Sequence, residues 1–151
     1  IVNNISPLGF ILGDEGSGAV LGKLLIGDVL KDLLPPALKE QFLTQYGLTP
    51  ASIMDKVYRQ PFPNRFLAGL SPFIREHLDE PAIWELVTRS FLAFFTRNVK
   101  QYDCFELPVH LVGSVAWYYQ DILKDIAFDL GLRLGTVAQS PMEGLIAYHG
   151  K

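Results

Sequence analysis

The order of patterns along the chain predicts an α/β lobe with a small mixed sheet and a large helical content. Three observations carry this. Apolar residues recur at helical spacing through most of the stretch from Leu21 to Lys100. A compact apolar run, Val109-His110-Leu111-Val112, follows Pro108 and reads as a buried strand. After it come a helical pattern, a second strand candidate and a last helix. The chain has 151 residues, 49% hydrophobic and 19% charged, which suits one globular domain spanning 1–151 with its own core.

The elements follow in order. Ile1 to Ile5 and Gly9 to Leu12 read as two short extended pieces, with a turn at Ser6-Pro7. A helix carries Leu21, Leu24, Leu25, Asp28, Val29 and Leu33 on one face, and Pro35-Pro36 should end it. Two shorter helices are expected from Ala37 to Tyr46 and from Pro50 to Tyr58, the second capped by Thr49. Phe62-Pro63-Asn64 reads as a loop. A helical stretch from Arg65 to His77 should be interrupted near Ser71-Pro72. The clearest helix runs from Ala82 to Lys100, with Ile83, Leu86, Val87, Ser90, Phe91, Phe94, Phe95 and Asn98 on one face. Val115, Tyr118, Ile122, Leu123 and Ile126 form another helical face, closed by Gly131. Leu132 to Ala138 is the second strand, and Pro141 to His149 a final helix capped by Ser140.

Several function classes are excluded or disfavoured. The net charge is −3 and there is no basic run, so no nucleic-acid partner is expected. No apolar stretch reaches the roughly 20 residues needed to cross a bilayer, so no membrane partner is expected. One cysteine, Cys104, excludes an internal disulfide and a four-cysteine metal site, and it suits a reducing cytoplasm. It has no adjacent base in sequence and reads as structural. His77, near Asp79 and Glu80, is expected at the surface. His110 and His149 have no metal-ligand spacing to each other or to His77. Phe91-Phe94-Phe95 and Trp117-Tyr118-Tyr119 read as core aromatics.

Two places can carry chemistry. In Gly9-Phe10-Ile11-Leu12-Gly13-Asp14-Glu15-Gly16-Ser17-Gly18, short residues let the backbone approach a ligand or another helix. A carboxylate at Asp14 can accept hydrogen bonds from sugar hydroxyls. It can also accept them from the free amides of the helix it precedes, with Gly18 and Gly22 serving tight packing. In Leu111-Val112-Gly113-Ser114-Val115-Ala116, a strand gives way through a glycine to a helix start. Outward-pointing amides there suit a nucleotide, and the same pattern also makes an ordinary strand-to-helix turn.

Taken together, the pieces resemble one family. The run Pro7 to Gly18 resembles the signature of N-acetylglucosamine kinases and the related BadF/BadG-type ATPases. Val112-Gly113-Ser114-Val115-Ala116, followed by Tyr118-Tyr119, resembles their adenosine-proximal segment. Gln139 to Leu145 resembles the closing helix of the small bacterial members, and the likeness is strongest to the Bacteroides type. The resemblance covers the chain almost from end to end, in family order.

It implies a ribonuclease-H-like lobe of the actin-like ATPase superfamily, one of two lobes that close on ATP and sugar. The implied activity is ATP-dependent phosphorylation of N-acetylglucosamine at its 6-hydroxyl, with Mg2+ accompanying ATP. Asp14 and Gly13 would meet the amino sugar. Gly113, Ser114 and Val115 would border the nucleotide, and Ala68-Gly69-Leu70-Ser71 would line its adenine side through Ser71. No catalytic residue and no metal ligand is implied within this chain. The family's first phosphate loop, general base and second phosphate loop lie upstream of the position of Ile1. The chain is therefore expected to be a carboxy-terminal lobe, cut within its first strands and inactive without its amino-terminal partner lobe. The cut should expose apolar surface and favour self-association, including a homodimer. Two other readings stand beside this one. An activating ATPase for a radical dehydratase would need a cysteine pair that Cys104 alone does not give. A non-catalytic binding domain made from half a kinase would lack any upstream lobe.

Overall fold

The computed structural model describes residues 3–103 and 105–150. The readings made for Ile1, Val2 and Cys104 fall outside these residues. The described residues gather into two compact units, one within 6–93 and the other within 94–150 together with 3–5.

The first unit is helical. It begins with a single turn, α1 (Gly9–Leu12), where an extended piece was expected. An isolated strand leaves its amides and carbonyls without partners. No strand among the described residues pairs with this segment, and the local Gly13 N–H to Gly9 C=O bond (2.8 Å) closes a turn instead. Residues 3–8 likewise form no strand.

Helix α2 (Gly18–Leu30) starts at Ser17, whose hydroxyl accepts from the Val20 N–H at 3.2 Å. It buries Leu21, Leu25, Ile26 and Val29. It stops five residues before the expected Pro35, because Asp32 turns left-handed (φ 57°) and the Leu33 N–H reaches back to Asp28 C=O. Helices α3 (Pro36–Gln45) and α4 (Pro50–Tyr58) lie where the sequence places them. Thr49 and Ser52 exchange side-chain and backbone hydrogen bonds at the start of α4, a full capping box.

The Phe62-Pro63-Asn64 loop is instead the start of α5 (Pro63–Ala68), since Pro63 has the fixed φ that suits a first helical position. A break at Gly69-Leu70 separates it from α6 (Ser71–Glu76). The unit's aromatic core is Phe42, Phe73 and Tyr46, with ring centroids 5.1 to 6.3 Å apart. Burial raises the Tyr46 hydroxyl's pKa above its ordinary value. His77 is half-buried rather than at the surface. It stacks on Phe73 at 4.1 Å, and its ring nitrogens bond to Phe73 C=O and the Gln41 amide.

Helix α7 (Pro81–Arg97) carries the chain from the first unit into the second. On its expected face Ile83, Leu86, Val87, Ser90, Phe91 and Phe95 are buried, and Phe94 and Asn98 half-buried. No described helix is long and apolar enough to cross a membrane.

The second unit continues with a 3-10 turn, Val99–Tyr102, and then β1 (Val109–Val112). Helices α8 (Ser114–Tyr118) and α9 (Gln120–Asp129) follow, then β2 (Leu134–Ala138) and α10 (Met142–His149). The single helix expected after Gly113 is thus split at Tyr119. Of the aromatic triplet only Tyr119 is core, while Trp117 and Tyr118 are 39% and 45% exposed. Gly131 closes α9 with φ 70°. The Ser140 hydroxyl accepts from the Met142 N–H at 3.3 Å, and α10 presents Met142, Ile146 and Tyr148 outward.

Strands β1 and β2 form a parallel pair. β1 is not fully buried: Val109 and Leu111 are half-buried, and His110 and Val112 exposed, the alternation of a strand covered on one face. The register shifts within the pair. Val109 faces Leu134, but Leu111 faces Val137, so His110 alone stands opposite Gly135 and Thr136. This is a bulge on β2. The His110 Nδ1 accepts from the Thr136 N–H at 3.0 Å.

The tightest packing in the first unit is between α2 and α5. A methyl group at Gly22 would overlap the Leu67 carbonyl, and one at Gly18 would touch Ala68 at 3.6 Å. Gly22→Ala should therefore lower the unfolding free energy by ~2–3 kcal/mol, the cost of overpacking against rigid backbone. Gly27→Ala, on the same helix with nothing within 4 Å of its position, should instead gain about 0.5–1 kcal/mol. Denaturant midpoints of the two variants measure both, and equal shifts would contradict the packing argument.

Candidate functional site

The first candidate locus is the turn between α1 and α2. Asp14 has left-handed backbone (φ 64°), which a short polar residue tolerates better than most. Its N–H donates to the Pro7 carbonyl at 2.7 Å. That approach leaves no room for a side chain at Gly13, where a Cβ would lie 2.5 Å from the same oxygen. The Asp14 carbonyl then accepts from the Ser17 N–H at 3.1 Å. The turn is thus tied at both ends by backbone bonds, and glycine at 13 is a steric requirement.

Ser17, not Asp14, supplies the side-chain cap of α2. Asp14 as a helix cap is therefore corrected. Its carboxylate is half-buried and has no hydrogen-bond partner among the described residues. By helix geometry the Gly18 and Ala19 amides have no intrahelical acceptor. Lys23 ties α2 back to α1 through its ammonium group on the Phe10 carbonyl, 2.9 Å. Ala68 packs against Gly18, so the structure brings the start of the Ala68–Ser71 segment to the N-terminal end of α2. Ser71 itself is half-buried at the first position of α6.

The second locus, in the other unit, is the bend from β1 into α8. Gly113 has φ 134° and ψ 161°, a conformation that favours glycine. There is open space where its Cβ would be, so the requirement is conformational and not steric. Its N–H donates to Ala138 C=O (2.9 Å), and its own carbonyl accepts from the Trp117 N–H (3.0 Å). Ser114 is exposed, and Val115 half-buried. No side chain caps α8, so the amides of its first turn have no intrahelical partner. Gln139 donates to the Tyr118 hydroxyl at 3.3 Å, joining the end of β2 to α8 beside the bend.

The sequence reading missed Ser17 as the cap and His110 as the residue filling the bulge. The first had a signal, since Ser lies one residue before the helical run. The second had none, because a bulge does not show in apolar periodicity.

Ser17→Ala should cost about 1 kcal/mol of stability, the usual worth of a cap. Asp14→Asn should change it by less than ~0.5 kcal/mol, because Asn tolerates the same backbone and no bond to the carboxylate is lost. Thermal or urea unfolding of both variants checks this, and an equal loss in the two would return Asp14 to a structural role.

No protein-family model matches the chain, and no curated protein matches it. Among solved structures it is similar to a Porphyromonas gingivalis protein named "Putative N-acetylglucosamine Kinase", at 60% sequence identity and a TM-score of 0.95. The match covers 97% of this chain and 52% of that one, so the chain spans about half the length of its neighbour. At that identity, along nearly all of its residues, the chain belongs to the N-acetylglucosamine-kinase-like family.

Proposed function

We propose that this chain forms one part of an ATP-dependent kinase that phosphorylates N-acetylglucosamine at its 6-hydroxyl. The observation that carries the reading is the 60% identity to the P. gingivalis protein over 97% of this chain. The local geometry supports it. Asp14 offers a carboxylate with unused acceptor capacity, held in a fixed turn, which suits recognition of sugar hydroxyls. Gly13 lets the Pro7 carbonyl hold that turn. The bend at Gly113 offers the backbone amides of Ser114 and Val115 beside it, which suits phosphate or ribose oxygens. By the resemblance alone, Ser71 is assigned to the adenine side of a nucleotide.

Phosphoryl transfer depends on positioning and on neutralising charge on the transferred group. ATP would supply the phosphoryl group, and an accompanying Mg2+ would neutralise charge on it. In this reading Mg2+ would accompany the nucleotide phosphates. The side chains here bind and orient, and the nucleophile-orienting base lies in the part of the protein that this chain does not span. The 151-residue chain alone is therefore proposed to be inactive.

A coupled assay of ADP formation by the full-length protein, run over a panel of hexoses and amino sugars, tests this. N-acetylglucosamine should give the highest kcat/KM, and the isolated chain should give none. Asp14→Asn should raise the KM for the sugar by roughly tenfold or more, the worth of one hydrogen bond to a charged group, with the KM for ATP changed less than about twofold. Absence of sugar-stimulated turnover, or equal effects of Asp14→Asn on both substrates, would reject the assignment.

A further inference from the structure

We infer that His110 is a positioning residue: its imidazole holds the β2 bulge and thereby sets the Gly113 bend. The inference rests on the nucleotide reading of that bend given above. Opposite His110, β2 has two residues where β1 has one. A bulge leaves a backbone group without a ladder partner. Here the Thr136 N–H donates to the His110 Nδ1 at 3.0 Å. Since Nδ1 accepts, the proton of the neutral ring sits on Nε2.

The ring also needs space, and Gly135 supplies it. A Cβ at Gly135 would lie 2.7 Å from Cε1 and 2.8 Å from Nδ1 of His110. The imidazole therefore lies across the bare backbone of residue 135. The φ of Gly135 is not among the positive values, so glycine is needed here for the ring and not for the backbone.

The consequence lies three residues further on. Because of the bulge, Val112 stands opposite Ala138 and not Val137. The Gly113 N–H then meets the Ala138 carbonyl at 2.9 Å. A straight ladder from Val109 and Leu134 would slip β2 by one residue, and every following β2 side chain would change face. The Ala138 carbonyl would leave Gly113, and Gln139 would leave the Tyr118 hydroxyl. One side-chain acceptor thus fixes which backbone oxygen anchors the bend.

The test uses four variants of the full-length enzyme: His110→Ala, His110→Asn, Gly135→Ala and Gly113→Ala. Asn places a carbonyl oxygen near the Nδ1 position and should act as the rescue. Gly135→Ala displaces the ring without touching it chemically. Amide exchange of the 134–138 segment reads the bulge, and separate KM values for ATP and sugar read the bend. His110→Ala and Gly135→Ala should speed Thr136 exchange about tenfold and raise the KM for ATP about three- to tenfold, the worth of one neutral hydrogen bond. The KM for sugar should stay within about twofold, and His110→Asn should restore both readings. Unchanged Thr136 exchange in His110→Ala overturns the inference. So does lost protection with an unchanged KM for ATP, if Gly113→Ala raises that KM. If Gly113→Ala leaves it unchanged, the nucleotide reading fails separately, and Thr136 exchange alone then decides whether His110 holds the bulge.

Discussion

The first unit depends on one close approach, that of helix α2 to the backbone of α5 at Gly22 and the Leu67 carbonyl. Helices usually meet through side chains, at axis separations of about 8–10 Å. Here the absence of a side chain brings one helix onto the peptide backbone of the other. That contact seats α2 on α5, while the Ser17 cap sets where α2 begins, directly after the Asp14 turn. Gly18 and Ala68 extend the same seam to the end of the helix nearest the turn. The candidate sugar locus is thus placed by packing beneath it, and its carboxylate need not contribute to the fold.

Much of this was legible in the sequence where apolar spacing carries the signal. The face of α7 follows its pattern from Ile83 to Phe95, because burial of that face is what the spacing encodes. Thr49 and Pro50 mark the start of α4 because cap and first-position preferences are local. The pairing of Gly18 and Gly22 as a packing surface was also legible, since two glycines four apart share a helix face.

The rest was not legible because it depends on partners distant in the chain. Gly9 to Leu12 has strand-like residues, yet a strand exists only with a neighbour to pair with. Asp32 ends α2 by a left-handed turn that no breaker residue announces. Trp117 and Tyr118 have core composition but stand exposed on a five-residue helix. At the candidate site, the glycines and Asp14 could be marked from residue type. Ser17 carried a local cap signal as well, but Asp14 is also a good cap by type, and geometry shows that Ser17 meets the amides.

Gly113 and Gly22 restrict their positions for opposite reasons, and the difference has a practical consequence. At Gly22 any added carbon is excluded by volume. At Gly113 there is room, and only the handedness of the backbone excludes a natural side chain. A residue of inverted chirality would meet that demand. D-alanine placed there by chemical ligation has the handedness this backbone asks for and narrows the conformations open to the unfolded chain, which makes position 113 a place to try stiffening the protein from outside the genetic code.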